Sequence, residues 1–147
     1  MDIRYKLLFN GMANSNFRAK HAIAIILHNL NDDELSVNVL ASSLRISPSH
    51  LRRIVLDATD MTPGRLIKHC RLERARELLM GVLSIKEISH SVGIRDVSHF
   101  VRDFKAKYGI RPTEYRRRMS GHLTSTAPIP NLQYAMPPIL VEEIHGI

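Results

Sequence analysis

The sequence predicts an all-α fold: two helix-turn-helix subdomains joined by a long linker helix, about seven helices in all. Three observations carry that prediction. No stretch alternates apolar and polar residues as a half-buried strand does, whereas apolar residues recur three and four apart from Phe17 to Met119. The stretch from Arg65 to Met80 contains no glycine or proline, so it can run as one rod of roughly 25 Å. And one pattern occurs twice, as SPSHLRRI at 47–54 and as DVSHFVRD at 96–103.

The elements follow in order. Residues 1–16 are weakly patterned and are expected to be an arm or the remnant of a neighbouring domain. FRAKHAIAIILHNL, from Phe17 to Leu30, places a broad apolar stripe on one helix, and NDD ends it. Ser36 can cap VNVLASSL, in which Val37, Leu40, Ala41 and Leu44 share a face. Ser47 can cap the next helix, with Pro48 at its first position, where a missing N–H costs nothing. Leu51, Ile54 and Val55 are its inward residues. Thr62-Pro63 is expected to start the linker helix in the same way.

Beyond Gly81, Ser84-Ile-Lys-Glu87 fits a capping box before ISHSV. Gly93-Ile94 breaks the chain, Asp96 can cap VSHFVRDFKAKY, and Gly109 suits the left-handed position after it. Pro112 opens a last short helix. The expected organisation is an arm (1–16), a first helix-turn-helix subdomain (17–62), a linker helix (63–80), a second subdomain (81–119) and an irregular Pro-containing tail (120–147).

The repeat is more than eight residues long. At an offset of 48, Leu40 falls on Ile88, Ala41 on Ser89, Leu44 on Val92 and Ile46 on Ile94. Past the turn the offset becomes 49, so Ser49, Leu51, Arg53, Val55 and Pro63 fall on Ser98, Phe100, Arg102, Phe104 and Pro112. Asp60 falls on Gly109, and Asp tolerates the left-handed backbone. The one-residue slip sits in the turn, where an insertion disturbs packing least. The matched positions are mainly apolar or capping, as packing two helices across a turn requires.

Charge points to the same region. The chain of 147 residues has a net charge of +7, and residues 45–118 hold an excess of +9 while the remainder carries −2. A basic block of this size suits a polyanionic partner. Aromatics are only 5% and there is no Trp, so Leu, Ile and Val are expected to fill the core. Cys70 is alone, which excludes an intramolecular disulfide. The start, MDIRYKLLFNGMANS, lacks a signal-peptide pattern, and no apolar run nears the roughly 20 residues of a membrane span. A cytoplasmic, nucleoid-associated protein without a membrane partner is expected.

The segment SIKEISHSVGIRDVSHFVRDFKAKYGIRPTEYRRR resembles the DNA-binding domain of the AraC/XylS family of bacterial transcription regulators. The likeness rests on Ile88-Ser89, Gly93-Ile94, Phe100 two residues before Arg102, Phe104-Lys105, Gly109 and Pro112-x-x-Tyr115-Arg116, and extends over about residues 20–118. RLERARELL matches the end of the family's linker helix. Ile94 stands where the family usually has Phe, Ser89 where it has Ala, and Asp60 where it has Gly. The resemblance implies two recognition helices in successive major grooves, about 34 Å apart.

It also implies the site. Ser49, Arg52 and Arg53 in the first recognition helix, and Val97, Ser98, Val101 and Arg102 in the second, fall at base-facing positions. An arginine fork can grip guanine O6 and N7, and a valine can touch a thymine methyl. For the arginines, phosphate contact or an ion pair with Asp57 is the competing role; for Val101, partial burial. Ser47, His50, His99, Lys105, Lys107, Arg111 and Arg116, with Arg117 and Arg118, are candidates for the phosphate backbone, each weighed against a plain solvated surface.

Other chemistries fit poorly. His21 and His28 lie seven apart with no Cys or carboxylate at ligand spacing, and Cys70 and His69 are helix neighbours that do not face each other. No enzyme, metal or cofactor is expected, and Cys70 is read as a half-buried inert thiol. The expected function is a sequence-specific regulator that binds double-stranded DNA as a monomer, with RNA polymerase as a second partner. The alternative is a degenerate member that acts as a protein-interaction module and inhibits another regulator. There is no room for the effector domain many members carry, so control through abundance or truncation of a longer parent is expected.

Overall fold

The computed structural model describes residues 17–121. The expected arm and the tail from residue 122 lie outside the described residues. Within them are seven helices and no strand: α1 (Phe17–His28), α2 (Val37–Ser43), α3 (Pro48–Thr59), α4 (Pro63–Leu78), α5 (Ile85–Ser91), α6 (Val97–Tyr108) and α7 (Pro112–Met119).

Local chemistry sets most boundaries. Ser36 and Ser47 accept the backbone N–H groups of Val39 and His50 at 3.2 and 3.1 Å. Asp96 accepts that of His99 at 3.1 Å. At Ser84 and Glu87 both bonds of the capping box form, at 3.2 and 2.7 Å. Thr62 differs from the expectation. It stands before α4 with an extended backbone, but its hydroxyl makes no cap bond. Pro63, with its preset φ, starts this helix without one. Asp60 and Gly109 both adopt the left-handed conformation after their helices, at φ 59° and 83°.

The two turns are built alike. Arg45 and Gly93 both have positive φ, 55° and 78°. Their N–H groups donate to Ser42 and His90, and those of Ile46 and Ile94 donate to Ala41 and Ser89, all at 2.9–3.1 Å. Ser89, the residue the family usually has as Ala, is fully buried, yet its hydroxyl donates to the Ile94 carbonyl at 2.6 Å. The extra polar atom is satisfied by the turn it packs beneath.

Two cores form, and α4 contributes to both. Its first half supplies Leu66, Ile67 and Cys70 to a cluster with α1, α2 and α3. Its second half supplies Leu72, Ala75 and Leu79 to a cluster with α5, α6 and α7. Cys70 is only 2% exposed, more deeply buried than expected, inside the first core. That core is aliphatic, as composition suggested. The second is not: Phe104 packs against Phe100, Tyr108 and Tyr115 with ring centroids 5.9, 4.5 and 5.6 Å apart. Of the aromatics among the described residues all but Phe17 gather there, each fully buried ring contributing roughly 2–3 kcal/mol. Sharing one helix between two cores couples the subdomains through continuous backbone.

Candidate nucleic-acid interface

Leu51, Ile54 and Val55 face the first core, and the helical period then turns Ser49, Arg52 and Arg53 outward on α3. All three are exposed. The Arg53 guanidinium donates to Nδ1 of half-buried His50 at 2.9 Å, which lays it along the outer face of α3. Among the described residues no ion pair joins Asp57 to Arg52 or Arg53, so that competing role is not taken up. The Ser47 hydroxyl is exposed and engaged as a cap.

On α6 the same logic gives a more defined surface. Phe100, Phe104 and Tyr108 point inward. Val97, Ser98, Val101, Arg102 and Lys105 then share the outer face, and with Arg111 from the following turn they line one groove of about 410 Å³. The lining holds three exposed cations and no carboxylate, with two half-buried valines between them. Val101 also packs against the second core, so its burial is partial. Asp96, beside this groove, caps α6; the His99 N–H, aided by the nearby His99 and Arg102 side chains, holds its carboxyl below the usual range. His99 is exposed, with Nδ1 4.0 Å from Asp96.

Not every expected cation lies on this surface. Lys107 turns inward: its side chain is 14% exposed, and its ammonium lies 3.1 Å from Glu73 and 2.8 Å from Nδ1 of His69. Tyr108 donates to the same Glu73 carboxylate at 2.5 Å, and Arg76 lies 3.3 Å from it. The Arg116 guanidinium donates to the Leu79 carbonyl at 3.0 Å and to that of Leu83, tying α7 to the end of the linker. Arg117 and Arg118 both bind Glu114, whose carboxyl they hold well below the usual range. Lys107 and Arg116 are thus occupied with internal partners, while Lys105 and Arg111 stay on the exposed face.

Residues that the sequence did not single out, Met61, Arg65, Lys68 and Asp103 among them, also gather between the subdomains. Met61, Arg65, Lys68, His69 and Leu72 form one stripe of α4 and its approach, and with Asp103 and Lys107 of α6 they line a groove of about 530 Å³. Lys68 pairs with Asp103 at 3.0 Å. The i, i+3 spacing of Arg65 and Lys68 was visible, but only packing brings Asp103 beside them. His21 and His28 are exposed, and no metal-ligand cluster occurs among the described residues. No described helix is long and apolar enough to cross a membrane.

Two cores strung on one helix, each presenting an outward helix after a tight turn, define a double helix-turn-helix domain. A family model described as a helix-turn-helix domain matches residues 40–118. The chain is 32% identical over 120 residues to the HTH-type transcriptional regulator GadX of Escherichia coli strain K-12, covering 81% of this chain and 42% of that protein. Among solved structures, a DNA-binding transcriptional dual regulator from Escherichia coli K-12 superposes with a TM-score of 0.63 at 31% identity, over 74% of this chain and 96% of that one. The C-terminal domain of AraT, a response regulator from Geobacillus stearothermophilus, gives 0.69 at 26%, over 79% and 95%. The chain belongs to the AraC/XylS family of transcription regulators. It spans less than half the length of the GadX relatives it matches, 40–46%.

Proposed function

We propose that this protein is a sequence-specific, double-stranded-DNA-binding transcription regulator that sets α3 and α6 into successive major grooves. The observation that carries this reading is the α6 groove, in which Val97, Ser98, Val101, Arg102, Lys105 and Arg111 meet without a carboxylate. Cations beside apolar groups, with no carboxylate in the lining, suit phosphates flanking base edges. The likeness to the DNA-binding transcriptional dual regulator from Escherichia coli, over 96% of that structure, supports it.

In this reading Arg53 and Arg102 grip guanines, Ser49, Arg52 and Ser98 offer further polar contacts, and Val97 and Val101 touch thymine methyls. Lys105 and Arg111 neutralise phosphates. The capped ends at Ser47 and Asp96, with His50 and His99, lie near the backbone. Lys107 and Arg116 serve the fold. Both recognition helices belong to one chain, so a monomer suffices for an asymmetric site of about 20 base pairs. RNA polymerase is the second partner of this reading, and the cytoplasm its compartment.

Selection of bound sites from a random DNA pool tests it. One asymmetric motif with two half-sites about one helical turn apart is the expected result. Binding that ignores sequence, or no mobility shift at low salt, would defeat the proposal and leave the protein-interaction alternative. An unchanged motif after Arg53→Ala and Arg102→Ala would show that the assigned residues do not read bases.

A further inference from the structure

Gly93 and Arg45 occupy the same place in the two turns, with the same hydrogen bonds and the same left-handed backbone. Arg45 shows that this backbone does not by itself require glycine in this protein. The surroundings differ. Arg45 is exposed, whereas Gly93 is buried against the first subdomain. A Cβ on residue 93 would lie 2.4 Å from the Leu30 carbonyl oxygen and 3.0 Å from the Arg71 guanidinium. No such approach is tolerable without displacing backbone.

Three residues, Gly93, Arg71 and Arg95, therefore meet the loop that follows α1. The second turn rests on the Leu30 carbonyl through Gly93. Arg71, midway along α4, donates to that carbonyl at 3.2 Å and to the Asp32 carbonyl at 2.6 Å. Arg95, two residues past Gly93, pairs with Asp33. The loop that leaves α1 is thus gripped by the linker and by the second turn together. An exposed ion pair alone holds little. The glycine contact and the half-buried Arg71 bonds add shape and direction to it.

We infer that this seam (Leu30 to Asp33, Arg71, and Gly93 with Arg95) sets the distance and rotational phase between the two recognition helices, so that the protein accepts its half-sites at one spacing only. The inference rests on the two-groove reading above. One inserted base pair moves a half-site by about 3.4 Å and turns it by about a tenth of a helical turn. A hinged pair of subdomains would follow that shift. A pair locked across Gly93 does not, and must give up contacts in one groove.

The test uses the full chain and the motif obtained by selection. Probes carry zero, one or two base pairs inserted or removed between the half-sites, and each half-site is also tested alone. Wild type should lose about tenfold in affinity or more for one base pair, the scale of a mismatched contact. Asp33→Ala with Arg95→Ala, and separately Gly93→Ala, should flatten that profile while isolated half-sites bind as before. The surface double variant guards against misfolding of Gly93→Ala. A flat wild-type profile with both grooves protected in a footprint would overturn the inference, as would a double variant and a folded Gly93→Ala that both stay as steep as wild type. A footprint confined to one groove would overturn the two-groove reading itself, and this inference with it.

Discussion

The Lys107 ammonium lies 3.1 Å from the Glu73 carboxylate, a contact between α6 and α4 across 34 residues of chain. Lys105 sits two residues earlier on the same helix and faces the open groove. A rotation of about 200° along α6 therefore separates a cation on the open surface from one that holds α6 to the linker.

The two lysines should behave differently. Lys105→Ala should weaken binding to all sequences alike and lower the salt slope by about one unit, with melting unchanged. Lys107→Ala should instead lower stability by roughly 1–3 kcal/mol, because Glu73 loses one of its buried partners while keeping Arg76 and Tyr108. Salt-titrated binding and thermal unfolding of both variants separate these outcomes.

Arg53→Ala and Arg102→Ala should each relax preference at a single base position, at about 1–3 kcal/mol for the preferred base. Both side chains are exposed, so stability should hardly change. Repeating the site selection with each variant measures the first effect, and urea unfolding the second.

Arg45→Gly and Gly93→Ala exchange the chemistry of two equivalent turns. Arg45→Gly should leave stability within about 1 kcal/mol of wild type, since relief of left-handed strain opposes the greater freedom of the unfolded chain. Gly93→Ala should cost more than left-handed strain alone, about 1–2 kcal/mol, because the new methyl meets the Leu30 carbonyl. A Gly93→Ala cost in urea unfolding no larger than left-handed strain alone, about 1–2 kcal/mol, would show that Gly93 is chosen for its backbone only.

Acid should unfold this domain in a definable window. Burial raises the Glu73 carboxyl, but Lys107, Tyr108 and Arg76 outweigh it and hold the group below its ordinary value. The caps Glu87 and Asp96 are lowered by the N–H groups of Ser84 and His99. A depressed carboxyl contributes stability above its unfolded value and loses it as pH falls through its folded one. With unfolded values near 4, the unfolding free energy should be nearly level from about pH 7 to 5 and fall below about pH 4. Urea titrations across that range check this, and Glu73→Gln should make the acid decline shallower.

Much of the fold was legible before any coordinates. The helices, the left-handed residues Asp60 and Gly109 and the capping box at Ser84 follow from spacing and cap chemistry, which act within a turn of helix. The second core was misjudged for a related reason. Composition counts aromatics without saying that Phe100, Phe104, Tyr108 and Tyr115 share one cluster. The site divided in the same way: periodicity turned Arg53 and Arg102 outward, but could not tell Lys105 from Lys107.

The amino-acid order alone determined the doubled unit, its helix boundaries and its family, because those depend on periods and signatures within short windows. Only the folded chain decided which cations are spent on Glu73, Leu79 and Leu83, and that Gly93 and Arg95 rest on Leu30 and Asp33. Those partners lie tens of residues apart, and no local pattern encodes a distance that exists only once α4 has brought the two cores together.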